Sequence, residues 1–171
     1  MGTKRIGLAR VQALIENLKR ELTVNGNQVG TLAGTGPARQ VHKFTYDFAS
    51  DGGATGEITL TPTSGLPRGF ICTGGWIEVI TAVTSGGSAT VAVGTEGTSN
   101  DPDGFRTATA KAVLAINAIC SFNGALTPTD ASLGKKIITT NDPVSMTIAT
   151  AALTAGKFHV YVEGYMSNEL V

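Results

Sequence analysis

The chain has 171 residues and a mass of 17.5 kDa, enough for one domain with a substantial core and too little for two. Thirteen Lys and Arg balance thirteen Asp and Glu, so the formal charge is zero; that argues against a whole-domain electrostatic grip on nucleic acid, which needs a basic excess. Charged residues make up only 15% of the chain, against roughly 25% in ordinary soluble domains, so much of the surface is expected to be covered by something other than water.

Residues 4–22 carry the clearest helical signal. Leu8, Val11, Ile15, Leu18 and Leu22 recur at alternating three- and four-residue spacing, and Leu14 widens the stripe. Asn25-Gly26 supplies the stop, because both residues tolerate the left-handed conformation that follows a helix. Arg10, Gln12 and Glu16 interrupt the segment, so neither the apolar core of a signal peptide nor the run of about 20 residues of a membrane span is present. The segment holds five basic and two acidic residues, which leaves the remainder of the chain with a net charge of −3. An isolated helix of this length is marginal in water and needs a surface on which to bury its stripe. Aromatic anchors are missing, which disfavours a membrane surface as that partner. The expected organisation is a helix or arm over residues 1–24, a linker over 25–40 rich in Gly, Asn, Thr and Ala, and a β domain over 41–171.

From Val41 the period becomes two. Phe44, Tyr46 and Phe48 alternate with Thr45 and Asp47, and Ile58 and Leu60 alternate with Glu57, Thr59 and Thr61. Further strands are expected over 76–83, 89–93, 137–139, 144–148 and 158–162. Trp76, Ile80, Val91, Val93, Ile148, Phe158, Val160 and Val162 are the core candidates. Asp51-Gly52-Gly53, Pro67, Asn123-Gly124 and Asp142-Pro143 mark turns. Residues 107–122 fit a helix or a strand equally well. The pattern predicts a mainly β protein, an antiparallel β-sandwich or jelly roll, with an N-terminal amphipathic helix and an extended linker.

Chemistry is harder to find. His42 shares parity with the aromatics of its strand; His159 and Glu163 lie about 13 Å apart by strand rise, too far to meet within one strand. The acidic stretch Ser99 to Gly104 lacks the closing glutamate of an EF-hand, that position being Ala110. Gly34-Thr35-Gly36-Pro37 has no preceding strand and no Lys-Ser/Thr pair to hold a phosphate. Cys72 and Cys120 form no metal spacing and read as small buried thiols. No catalytic, cofactor-binding or metal-ligating residue is therefore assigned, and the expectation is a protein that is not an enzyme and carries no cofactor. The residues expected to act are those of the helical stripe, as a protein interface: Leu8, Val11, Leu14, Ile15, Leu18 and Leu22.

The run from Lys4 to Arg20, together with Leu66-Pro67-Arg68-Gly69-Phe70-Ile71, Thr84 to Thr90 and Gly156 to Val162, resembles small virion structural proteins of tailed double-stranded DNA phages, notably of cyanobacterial hosts. The resemblance implies a capsid decoration (cement) protein that binds and stabilises the assembled head, commonly a homotrimer with a β-sandwich body. A tail, neck or receptor-binding spike component is the alternative. The implied partners are the major capsid protein and further copies of the chain, with no direct contact to nucleic acid or membrane. The implied location is the exterior of the virion after synthesis in the host cytoplasm.

If the stripe grips a shell, changing Ile15 and Leu18 to Asp should weaken attachment and leave the β domain folded, because charge is then carried into a surface that must be buried. Sedimentation of shells mixed with the double variant checks this: reduced occupancy is expected, and full occupancy would contradict it.

Overall fold

Alternation of apolar and polar residues builds two antiparallel sheets. The computed structural model describes residues 11–16, 39–96, 101–126, 128–129, 132–133 and 142–166. The chain divides into two units, Met1–Ala38 and Arg39–Val171. In the first, residues 11–16 form a helix, α1, all of whose residues are exposed.

The second unit holds the sheets. One has the order β1 (Arg39–Asp47), β10 (Leu153–Met166), β3 (Phe70–Ser85) and β6 (Ile119–Ser121). The other has the order β2 (Gly56–Thr59), β9 (Val144–Ala149), β4 (Thr90–Thr95) and β5 (Asp101–Ala110). A short ladder, β7 (Pro128–Thr129) with β8 (Ser132–Leu133), lies between β6 and β9 in the chain. Among these eight sandwich strands every sequential step except β4 to β5 passes from one sheet to the other. The fold is mainly β and antiparallel, as the alternation predicts.

One core joins the sheets. Phe44 and Tyr46 of β1, Ile77 and Val79 of β3 and Phe158, Val160 and Val162 of β10 pack in the same buried cluster as Val91 and Val93 of β4 and Met146 and Ile148 of β9. The end of β1 is pinned by polar contacts. Tyr46 donates its hydroxyl to the Gly52 carbonyl at 2.7 Å, and Asp47 caps the short helix α2 (Phe48–Asp51) by accepting from the Ala49 amide at 3.0 Å. Lys157 of β10 reaches the Asp47 carboxylate at 2.8 Å.

The decisive irregularity is in β3. Phe70 and Cys72 point inward, yet beyond Gly74-Gly75 the inward residues are Ile77 and Val79. The register against β10 shifts just before this pair, with Glu163 opposite Gly74 and Gly164 opposite Cys72, so that Thr73 is the added residue. An added residue in one strand of an antiparallel pair exchanges the faces of everything after it. Trp76 and Ile80 are consequently not core residues: Trp76 is half-buried and Ile80 is 41% exposed. The other six core candidates are buried.

Three further expectations are settled or corrected, and two fall where the structure describes nothing. Residues 107–122 are neither one helix nor one strand, comprising the end of β5, a 3-10 turn (Lys111–Val113), a connecting loop and β6. Asp101 to Gly104 begin β5 and do not form a free turn, while Ser99 and Asn100 fall outside the described residues. The first strand starts at Arg39, inside the segment expected to be linker, because Arg39 and Gln40 pair with Tyr165 and Gly164. The strand expected over 137–139 and the glycine-rich run 34–37 lie outside the described residues.

The bulge makes a direct prediction. Ile71 and Ile77 have the same parity in one strand, but Ile71 is 39% exposed and Ile77 is 1% exposed. Ile77→Ala should cost about 2–5 kcal/mol and Ile71→Ala less than about 1 kcal/mol in denaturant unfolding. Equal costs would contradict the shift of faces.

Candidate interaction surfaces

Of the six residues of the helical stripe, Val11, Leu14 and Ile15 lie in α1 and are 40%, 62% and 47% exposed; Leu8, Leu18 and Leu22 fall outside the described residues. The three described members share one side of a helix by spacing, and α1 presents them to solvent in the isolated chain.

A second surface appears on the outer face of the β1-β10-β3-β6 sheet, where pairing brings together side chains distant in sequence. Lys43, Tyr161, Trp76 and Ser121 occupy one row across the four strands, and Thr45, His159, Glu78 and Ile119 the next. Trp76 stacks on Tyr161, with ring centroids 5.1 Å apart and planes 22° from parallel. Lys43 Nζ lies 5.9 Å from the centroid of the Tyr161 ring, close enough for a cation–π attraction. Tyr161 donates its hydroxyl to Glu78 at 3.0 Å. Partial burial and then this bond to a carboxylate raise the phenol above its ordinary pKa.

His159 stands within this arrangement but is not paired with an acid as a general base would be. Its Nδ1 is hydrogen-bonded to Thr45 Oγ1 at 3.0 Å, its ring meets the edge of Tyr161, and the Glu163 carboxylate is held by Arg39. Glu78 stands opposite His159 in the register, although its carboxylate accepts from Tyr161. His42 sits on the inner side, edge-on to Phe70 at 5.0 Å. Among the described residues no group of three or more His, Cys, Asp or Glu could hold a metal ion, and no helix is long and apolar enough to cross a membrane. Cys72 and Cys120 are free and buried, and burial pushes the Cys72 thiol up to about 11. The arrangement is a cross-strand ladder of aromatic, charged and hydroxyl groups, suited to stiffening a sheet face and to contact with another surface.

A third feature lies along the β3–β6 side of the same sheet. Val113, Ile116 and Ile119 are 49%, 62% and 70% exposed, while Leu114 and Cys120 beside them are buried. Asn117 takes a positive φ of 63°, turning the chain between Ile116 and β6. None of these exposed aliphatics was selected by sequence reasoning.

Both histidines are held below their ordinary pKa of 6.5, His42 by burial, and His159 by burial and then by Lys43. The unfolded chain therefore binds protons that the folded chain refuses. Stability is complete above the unfolded value and is lost as pH falls through it toward the depressed folded values. Asp47 is depressed as well, by the Lys157 hydrogen bond first, from 3.8, so its contribution is lost only at more acidic pH. The thermal midpoint should fall between about pH 7.5 and about pH 5, and His42→Gln should remove part of that fall. A midpoint constant across this window in the unmodified protein would contradict it.

Comparison with protein-family models and with curated proteins finds no match. Among solved structures, the chain is similar to a chain of a "Cyanophage Pam1 capsid asymmetric unit", at 18% identity and a TM-score of 0.53, over 81% of this chain and 95% of that one. At that identity the likeness is one of fold. Since 81% of this chain accounts for 95% of the other, the matched chain is the shorter of the two.

Proposed function

We propose that this protein is a non-enzymatic structural component of a phage virion, a capsid decoration (cement) protein that binds the outside of the assembled head. The observation that carries the reading is the fold match over 95% of a chain, shorter than this one, in a cyanophage capsid asymmetric unit. A shell-building subunit usually takes a considerably longer chain, so a likeness that nearly exhausts so small a chain favours an accessory component. The strand order supports the same reading. In chain order the first, eighth, third and sixth sandwich strands form one sheet and the second, seventh, fourth and fifth the other, the wiring of a jelly roll, which capsid domains use.

The physical role follows from the surfaces. A protein that binds assembled shells, and not loose subunits, stabilises the shell by linkage. The basic helical segment, with Val11, Leu14 and Ile15 exposed, is the gripping element, and the β domain spreads load between neighbouring subunits of the major capsid protein. Three such arms on a homotrimer would add avidity beyond any one contact. Neither a cofactor nor nucleic acid enters this mechanism.

Mixing the purified protein with shells that lack it, and separately with unassembled capsid subunits, tests the reading. Cosedimentation saturating at a fixed ratio to the shell, with no binding to free subunits, is the expected result. Protein left in the supernatant at all concentrations, or confined to tails or a single vertex in whole particles, would overturn it in favour of a tail or spike role.

A further inference from the structure

We infer that the outer face of the β1-β10-β3-β6 sheet binds a neutral sugar at Gly74, against the indole of Trp76. The decisive feature is Gly74, where neither the backbone nor the surroundings call for a glycine. Its φ lies outside the left-handed region, and a Cβ added there would meet nothing within 4 Å. Thr73, not Gly74, is the added residue of the bulge. The neighbouring Gly75 is different, because a Cβ there would run into the Tyr161 carbonyl and the Phe122 ring. Glycine inside a strand lowers stability, and it often marks a place where a ligand approaches closely. At Gly74 the effect is an open notch in the sheet face.

The groups around the notch are those that hold a sugar ring. Trp76, the only tryptophan, follows two residues after Gly74 on the same face. One side of its indole is stacked on Tyr161; on the other its cross-strand neighbour is the exposed Ser121, too small to cover a ring. The C–H groups on one side of a pyranose carry partial positive charge and pack on the negative face of an aromatic ring. Directly opposite Gly74 stands Glu163, whose side chain is only 15% exposed and is paired with Arg39. Arg39 engages one carboxylate oxygen, and a carboxylate has about four lone-pair sites, which leaves acceptors for sugar hydroxyls. Tyr165 lies four residues, about 13 Å, along β10 from Tyr161 on the same face and bounds the far side.

Charge selects a neutral ligand. Arg39 and Lys43 balance Glu78 and Glu163 on this face, so neither an anion nor a cation is favoured. Hydroxyl groups can use donors and acceptors held this close together, and bonds to charged partners are the stronger kind. Small-ligand sites combine an aromatic lining with a few placed polar groups, which is the composition here. The sugar site is independent of the proposed role on a phage head, and either can fail alone.

Trp76 reports on its own site. The full-length protein is titrated with neutral oligosaccharides of glucose, galactose and mannose, following indole emission and the heat of binding. Saturable binding of at least one, with a Kd of about 1 mM or tighter, is expected. Gly74→Val fills the notch where there is room for a side chain, so the circular dichroism spectrum should be unchanged. Its sugar binding should be weaker by at least about tenfold. Should that variant not fold, Glu163→Gln takes its place, with weakened binding again expected because the charged acceptor is gone. No saturable binding of any neutral sugar overturns the inference, as does a folded variant that binds like the parent. Preference for sialylated over neutral oligosaccharides also overturns it, since the face would then read charge. So does a Gly74→Val protein that loses shell binding when the parent binds no sugar, which would give the face to a protein partner.

Discussion

The antiparallel pairing of β3 with β10 is the constraint from which the rest of the molecule follows. These are the two longest strands, and together they run through the middle of one sheet, with β1 and β6 added outside them. β10 alternates without interruption from Phe158 to Gly164, giving the core Phe158, Val160 and Val162. β3 matches it through a bulge at Thr73, just before Gly74-Gly75, beyond which Ile77 and Val79 turn inward and Trp76, Glu78 and Ile80 outward. The inner face thereby gains a continuous aliphatic layer. The outer face gains an aromatic ladder and an apolar margin.

That division accounts for the low charge of the chain. A domain whose outer sheet face carries stacked rings, and whose edge carries isoleucines, has less surface to give to Lys and Glu. Where ionic groups do occur on that face they are tied locally: Arg39 to Glu163, Lys157 to Asp47, Glu78 to the Tyr161 hydroxyl. Exposed pairs of this kind contribute little stability. A protein built to sit among other subunits has that character.

Much of the fold was legible in the sequence because period-two alternation is a local property. The strands around Phe44, Val91, Ile148 and Val160 were readable from it, as was the antiparallel class. Trp76 and Ile80 were misplaced because the run 76–83 carries apolar residues at both parities, and the face that turns inward is set by the bulge at Thr73 and the register with β10. Residues 107–122 stayed ambiguous because their alternation is broken by a 3-10 turn and by Asn117, leaving β6 only three residues long. The cross-strand ladder was not legible at all. Lys43, Trp76 and Tyr161 meet only through the register of three strands, and no local pattern states a register. The exposure of Ile119 was hidden for the same reason, since its face is set by its pairing with Glu78 of β3.

The central claim, that the chain is an external component of a phage head, is tested most directly by a reconstruction of the native particle at a resolution that separates β-sheets. The account predicts a density the size of this sandwich at repeated positions across the outer surface of the head, in contact with the major capsid protein. A head surface without such density, with the chain located in the tail or absent from purified particles, would contradict it.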